Sequence, residues 1–363
     1  MGNFVDDSAI PVIQDNMVFS LQRAGGGSVY WSHLQQSCVD DSKIKLSIIE
    51  RPDALDNASR KYMNLDGVSV LPQPNYHLRI DEIRKIAVRE SVPTLFHSSF
   101  FRFGVGDNCI NITTVHDFIC KRQYSGFVKH FSFWQIRRAV AHSDALIVIS
   151  ESTKRDLLAF IPEASRLPIE VIPQGYGSEF SYKGRASREK RAVFIGARGV
   201  AYKNFKAAVE AVSLTDGITL CVIGSPLTDA ESSMLDSMLP GRYESYVYPT
   251  SEEICDIFNS STALLYLSEY EGFGIPPLEA MASGLPVIAI NTSSIPEVVG
   301  DAGILLETCD SVQVARELNG LLASQSYFND VVLRGIEQAS KFSWERTAEL
   351  TKQYYRYIWE GHR

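Results

Sequence analysis

The stretch Glu271-Gly-Phe-Gly-Ile-Pro-Pro-Leu-Glu279 holds two carboxylates around two glycines and two prolines. Pro277 suits the first position of a helix, where its missing amide hydrogen would have no partner anyway. The segment therefore reads as a loop leading into a helix, and the free amides and positive dipole end of that helix suit a diphosphate. Gly272 and Gly274 let backbone approach a ligand with no Cβ in the way. Glu279 is expected in the first turn, where a carboxylate agrees with the dipole and can accept hydrogen bonds from two vicinal hydroxyls, as on a ribose. Glu271, before the loop, can do the same for a sugar ring. Taken alone, either glutamate also reads as an ordinary first-turn acid.

A second element, Arg198-Gly-Val-Ala-Tyr-Lys203-Asn204, brings two cations to the end of the apolar run Arg191 to Gly196. In open α/β sheets the C-terminal ends of strands are where ligands bind. Arg198 can fork onto phosphate oxygens and Lys203 can place a point charge on them.

These residues need strands to carry them. Short apolar, β-branched runs alternate with longer helical patterns along most of the chain, as in βαβ units with parallel sheets. The first series of expected strands is Met17 to Leu21, Lys45 to Ile49, Thr94 to His97, Asn111 to Val115, Ala145 to Ser150 and Glu170 to Pro173. The second is Arg191 to Gly196, Ile218 to Gly224, Ser245 to Tyr248, Ala263 to Leu267, Pro286 to Ile290 and Gly303 to Leu306. The 363 residues exceed what one hydrophobic core usually serves, so two domains are expected. They are residues 1–175, a linker at 176–190, and residues 191–342. A terminal helix over 343–363, capped by Ser343 and carrying Leu350, Tyr354, Tyr357 and Ile358 on one side, is expected to return to the first domain.

A net charge of -8 argues against wholesale nucleic-acid binding. The six cysteines form no Cys-x-x-Cys pair, which suggests neither a zinc site nor a disulfide framework, and they read as reduced core residues. There is no export signal at Met1 to Asp7 and no apolar stretch of membrane-spanning length, so a cytoplasmic location is expected. Lys121 to Arg138 mixes Lys121, Arg122, Lys129, Arg137 and Arg138 with Phe127, Phe131, Phe133 and Trp134. It reads as an amphipathic helix packed on the sheet, and alternatively as a peripheral contact with the inner face of the plasma membrane.

With Arg198 and Lys203 five residues apart ahead of Glu271-x7-Glu279, the chain resembles the retaining GT-B glycosyltransferases of family 4, the bacterial mannosyl-, glucosyl- and rhamnosyltransferase type. The likeness extends to Gln22-Arg23-Ala-Gly-Gly-Gly27-Ser28, His97-Ser98-Ser-Phe-Phe-Arg102, Val115-His116-Asp117, Ser150 to Asp156 and Val171 to Gly175. It implies an α/β fold of two Rossmann-like domains, with parallel sheets facing an interdomain cleft.

It further implies that Glu279 binds ribose, and that Arg198 and Lys203 bind the diphosphate. Glu271 would bind the donor sugar with the backbone of Phe273 and Gly274, with Ile275 and Leu278 beside them. Gly27 would approach the phosphate, and His116 would orient the transferred ring. Arg23, His97, Ser98, Arg102 and Asp117 are candidates for the acceptor side. The chain has no Asp-x-Asp, which agrees with the two cations replacing a metal, so neither metal nor cofactor is expected beyond the nucleotide-sugar substrate.

The expected function is retaining, metal-independent hexose transfer from a UDP-glucose or GDP-mannose type donor to a glycan or lipid-linked saccharide, in polysaccharide biosynthesis. Domain closure on the donor, about hinges near Gln174 to Lys190 and Phe342, belongs to the same expectation. The alternatives are a nucleotide-sugar epimerase or hydrolase of the same fold, and a catalytically silent binding protein.

Overall fold

The computed structural model describes residues 9–73, 81–184 and 189–362. Met1 to Asp7, linker residues 185–188 and residue 363 lie outside them. The chain forms two units, Met1–Gly175 with Trp344–Arg363, and Tyr176–Ser343.

The strands of the first unit are β1 (Ile10–Asp15), β2 (Ile44–Glu50), β3 (Ser69–Pro72), β4 (Lys85–Ala87), β5 (Thr94–Ser98), β6 (Phe103–Val105), β7 (Cys109–Val115), β8 (Ala145–Val148) and β9 (Ile169–Val171). Seven make one parallel sheet in the order β3-β2-β1-β5-β7-β8-β9, while β4 and β6 pair separately. β5 and β8 are buried along their whole length, as expected of strands covered on both faces. The strand order reverses between β1 and β5.

Met17–Leu21, expected as a strand, is instead a short helix that follows β1. Pro11 sits in β1 opposite Lys45, one residue ahead of the pairing with β5 that begins at Val12, and a proline in such a run normally argues against a central strand. Polar Gln14, Asp15 and Asn16 further disguise the element, although all three are fully buried.

The second unit has β10 (Arg191–Ile195), β11 (Thr219–Gly224), β12 (Tyr243–Val247), β13 (Ala263–Tyr266), β14 (Val287–Ile290) and β15 (Ile304–Leu306). Their order β12-β11-β10-β13-β14-β15 is that of a Rossmann sheet, all parallel, with its reversal between β10 and β13. Ala192, Phe194, Leu220, Val222, Leu265 and Ile288 meet Val209, Leu318 and Val331 from the flanking helices in one core.

Two differences from the expected layout follow from packing. The segment expected as a linker belongs to the second unit: Phe180 is buried, the Lys183 amide donates to Asn259 Oδ1 at 2.7 Å, and Lys183 Nζ pairs with Asp256. The terminal helix runs Trp344–Glu360 in the first unit and buries Trp344, Tyr354, Tyr355, Ile358 and Trp359, while Tyr357 points to solvent.

Candidate functional site

At the C-terminal ends of β10 and β13, where the second sheet reverses, two loops meet. The loop after β10 passes Arg198, makes a single turn at Ala201–Lys203, and starts the helix Phe205–Ser213 from Asn204 in a left-handed conformation, φ 54°. Asn204 Nδ2 donates to the Leu267 carbonyl at 2.9 Å, and the Glu269 amide donates to the Tyr202 carbonyl at 2.9 Å. These bonds pin the cationic loop to the chain leaving β13.

Lys203 Nζ then reaches Glu271 Oε1 at 2.5 Å, and both side chains are largely buried. The Glu271 amide donates to Ser293 Oγ at 2.9 Å, and Ser294 Oγ donates to the carbonyls of Glu271 and Phe273. Tyr266 lies in the same recess. Its phenol is held well above the usual range, first by burial and then by the neighbouring charges of Glu271, Tyr202 and Glu279.

Gly274 precedes the helix Ile275–Ala282 at φ 126°, and a Cβ there would lie 3.0 Å from Ile295 Cδ1. A side chain is excluded on both counts. Pro276 and Pro277 occupy the second and third helical positions, so Pro277 does not open the helix as expected. Neither proline has an N–H, so of the four amides a helix N-terminus normally leaves free, those of Gly274 and Ile275 remain.

Glu279 falls in the second turn, not the first. Burial, and next the carboxylate of Glu179, push its pKa up to about 8. It is therefore largely protonated at neutral pH until a ligand supplies hydrogen-bond donors for the carboxylate. Leu278 is buried beneath.

Arg198 is the exception in this cluster. Its guanidinium turns toward Glu231, with Nε 3.1 Å from Oε1, and Nη2 donates to the carbonyls of Ser225 and Pro226. The structure thus brings Lys203, Glu271, Tyr266 and Glu279 into one recess and turns Arg198 toward Glu231, Ser225 and Pro226. Glu231, Ser293 and Ser294 were missed in the sequence. Only Glu231 carried a readable signal, the Thr-x-x-Glu capping box from Thr228, which the helix Asp229–Met238 realises.

In the first unit, Gly27 lies in the first turn of the helix Gly26–Val39, against Gln22 and Val18. Arg23 is exposed. His116 packs edge-on against Tyr30, with ring centroids 5.1 Å apart, and burial brings its pKa down to about 4. A neutral imidazole of this kind suits a hydroxyl group and supplies no charge. Asp117 Oδ1 accepts the Ile119 amide at 2.8 Å.

His97, Ser98 and Arg102, candidates for an acceptor pocket, belong to the interior instead. His97 is fully buried, its Nδ1 2.6 Å from the Tyr355 hydroxyl and its Nε2 2.8 Å from Thr114 Oγ1, and burial holds its pKa near 3. Arg102 Nε and Ser98 Oγ both donate to Asp15 Oδ2 at 2.7 Å. Polar side chains at strand ends resemble a site in sequence, but here they satisfy one another beneath the surface.

Among the described residues no three His, Cys, Asp or Glu are grouped so as to hold a metal ion. No helix among them is long and apolar enough to cross a membrane.

Residues 179–338 match the family model described as glycosyl transferases group 1. The chain is 37% identical over 117 residues to O-antigen chain mannosyltransferase B of Escherichia coli, covering 32% of this chain and 30% of that protein. It is 25% identical over 265 residues to the serotype-specific mannosyltransferase WbdA of Escherichia coli, covering 66% of this chain and 32% of that one. The chain therefore spans about a third of the length of these two relatives.

Among solved structures, HepE of Anabaena in complex with UDP and glucose matches with a TM-score of 0.71 at 13% identity, covering 95% of this chain and 99% of that one. Sucrose-phosphate synthase from Thermosynechococcus elongatus matches with a TM-score of 0.73 at 16% identity, covering 97% and 100%. Residues 179–338 of the second unit thus resemble a group 1 glycosyltransferase domain, and the chain has the GT-B fold.

Proposed function

We propose that the chain transfers a hexose from a nucleoside-diphosphate sugar to a glycan or lipid-linked saccharide acceptor in polysaccharide biosynthesis, with retention and without a metal ion. The donor is of the UDP-glucose or GDP-mannose type. The observation that carries this reading is the Lys203 and Glu271 pair beside Gly274 at the reversal point of the second sheet. There, one cation suits a phosphate and one carboxylate suits a sugar hydroxyl. The mannosyltransferase names of two relatives and the UDP and glucose held by HepE support the substrate class.

As the anomeric C–O bond breaks, its electron pair moves to the diphosphate oxygen. Lys203 and the amides of Gly274 and Ile275 face the charge that develops there. Glu271 accepts from hydroxyls of the transferred ring and Glu279 from the ribose. The acceptor hydroxyl forms the new bond on the face the diphosphate leaves, and its proton passes to a departing phosphate oxygen.

We place this activity in the cytoplasm with a peripheral contact at the inner membrane face. Supporting that contact, Phe127, Val128 and Trp134 are exposed on the helix Gly126–Val140, which also carries Lys129, Arg137 and Arg138. Apolar and basic residues on one helix suit an interfacial position.

The test is transfer from UDP-glucose and GDP-mannose to oligosaccharide acceptors in excess EDTA, with product anomers assigned by NMR. Retained configuration with EDTA-resistant turnover is expected. An inverted product, or activity that EDTA abolishes and magnesium restores, refutes the corresponding part. Turnover that needs no acceptor would mark an epimerase or hydrolase, and binding without turnover a silent protein.

A further inference from the structure

The second cation of the site is closed to solvent. The Arg198 side chain is 2% exposed, lies beside the Phe205 ring, and is faced by Glu231 across an ion pair. Gly224 makes room for it: a Cβ at that position would sit 3.2 Å from Nη1, and φ there is 148°. The resting place is nevertheless incomplete. Nη2 donates to Ser225 and Pro226, but neither Nε nor Nη1, both buried, makes a well-formed hydrogen bond, Nε meeting Glu231 Oε1 only as a 3.1 Å ion pair. Buried guanidinium donors left unmet are a standing cost, and a better acceptor relieves it.

Glu231 gives up little when Arg198 leaves. Its Oε2 accepts the Thr228 amide at 2.8 Å, and its own amide donates to Thr228 Oγ1, so it stays fixed in the capping box. The Thr228 amide and the Arg198 charge together outweigh burial and keep this carboxylate below the usual range. Lys203 is held in a parallel way by Glu271. Both cations of the loop after β10 are therefore matched by carboxylates.

We infer that Glu231 is a positioning residue that holds Arg198 out of the donor site until a diphosphate replaces the carboxylate as the guanidinium's partner. A diphosphate offers more charge than one carboxylate, and it has oxygens for both unmet donors. The inference rests on the donor reading above. Glu231 lowers donor affinity, and in return the site carries no unpaired buried cation when empty.

The test is calorimetric titration of UDP, GDP, ADP and dTDP into the wild type, Glu231→Gln, Arg198→Met and the double variant, with the melting temperature of each. Glutamine can still close the capping box, so Glu231→Gln is expected to fold. It should bind the preferred nucleotide about three- to tenfold tighter, since a charged partner holds roughly twice as strongly as a neutral one. In the Arg198→Met background the same change should alter affinity less than about twofold, which separates release of Arg198 from general loss of negative charge. A purely structural Glu231 would lower the melting temperature and leave affinity unchanged or weaker.

Equal or weaker binding by Glu231→Gln, or a gain that persists undiminished without Arg198, overturns the inference while the donor reading stands. If the folded wild type binds none of the four nucleotides, the donor reading falls and the role of Glu231 with it.

Discussion

Lys203 Nζ and Glu271 Oε1 stand 2.5 Å apart although 68 residues separate them in sequence. The pair joins the loops after β10 and β13, so the reversal point of the sheet is closed by one charge contact. Lys203→Met should cut the transfer rate by about 10²- to 10³-fold, the usual effect of removing one group aimed at developing charge. It should also cost about 1–3 kcal/mol, because Glu271 loses its partner. Adding Glu271→Gln should restore stability in denaturant titrations and leave the initial rate low.

Glu279 ties stability to pH. Its pKa rises from the ordinary 4.5 to about 8 in the folded chain. Between those values the native state binds a proton the unfolded chain has released, so stability falls as pH rises through the window. Glu279→Gln should remove that slope, matching the wild-type melting temperature below pH 4.5 and exceeding it above pH 8. The same variant should weaken nucleotide binding roughly tenfold through loss of a charge-assisted bond. Wild-type titrations near pH 7 should show proton release, read as an enthalpy that changes with the buffer.

Gly274→Ala meets two obstacles at once, φ 126° and Ile295 Cδ1 at 3.0 Å. A side chain held in that region costs about 1–3 kcal/mol. Melting temperature and nucleotide affinity should fall together, because the strained backbone carries the remaining helix amides. A variant that binds as tightly as the wild type would remove those amides from the site.

Tyr355→Phe leaves His97 Nδ1 without its partner inside the first unit. An unmet buried group of this kind costs about 1–3 kcal/mol. Nucleotide affinity should stay within about twofold, since Lys203, Glu279 and the amides of Gly274 and Ile275, proposed above to meet the nucleotide, lie in the second unit. A large loss of affinity would show that His97 serves more than the core.

Where local pattern and tertiary packing agree, the chain was legible. β10 and β13 are short apolar runs bounded by glycine and polar residues, and the spacing of Glu271 and Glu279 survives folding as two carboxylates near one recess. β1 was missed because Pro11 and three buried polar residues contradict the usual look of a central strand. The partners that satisfy those residues, Trp31, Gln35, Glu50 and Arg102, come from other elements. The direction of Arg198 was equally hidden, since it depends on Glu231 and on the absence of a Cβ at Gly224, both far along the chain. Residue type could nominate Arg198 for a phosphate but not fix its rotamer.

The hydrogen bond between His97 and Tyr355 also sets an order of assembly during synthesis. The two residues are 258 positions apart, and the whole second unit lies between them. At roughly 5–20 residues per second a ribosome takes about 13–50 s to travel that distance. The second unit is continuous in sequence and can close as soon as it emerges, whereas the first must wait with His97, Trp31 and Tyr30 uncovered until the helix Trp344–Glu360 has been made. The unit begun first is completed last, and in the interval His97 and Tyr30 stay without the terminal helix that supplies their Tyr355 and Trp344 neighbours.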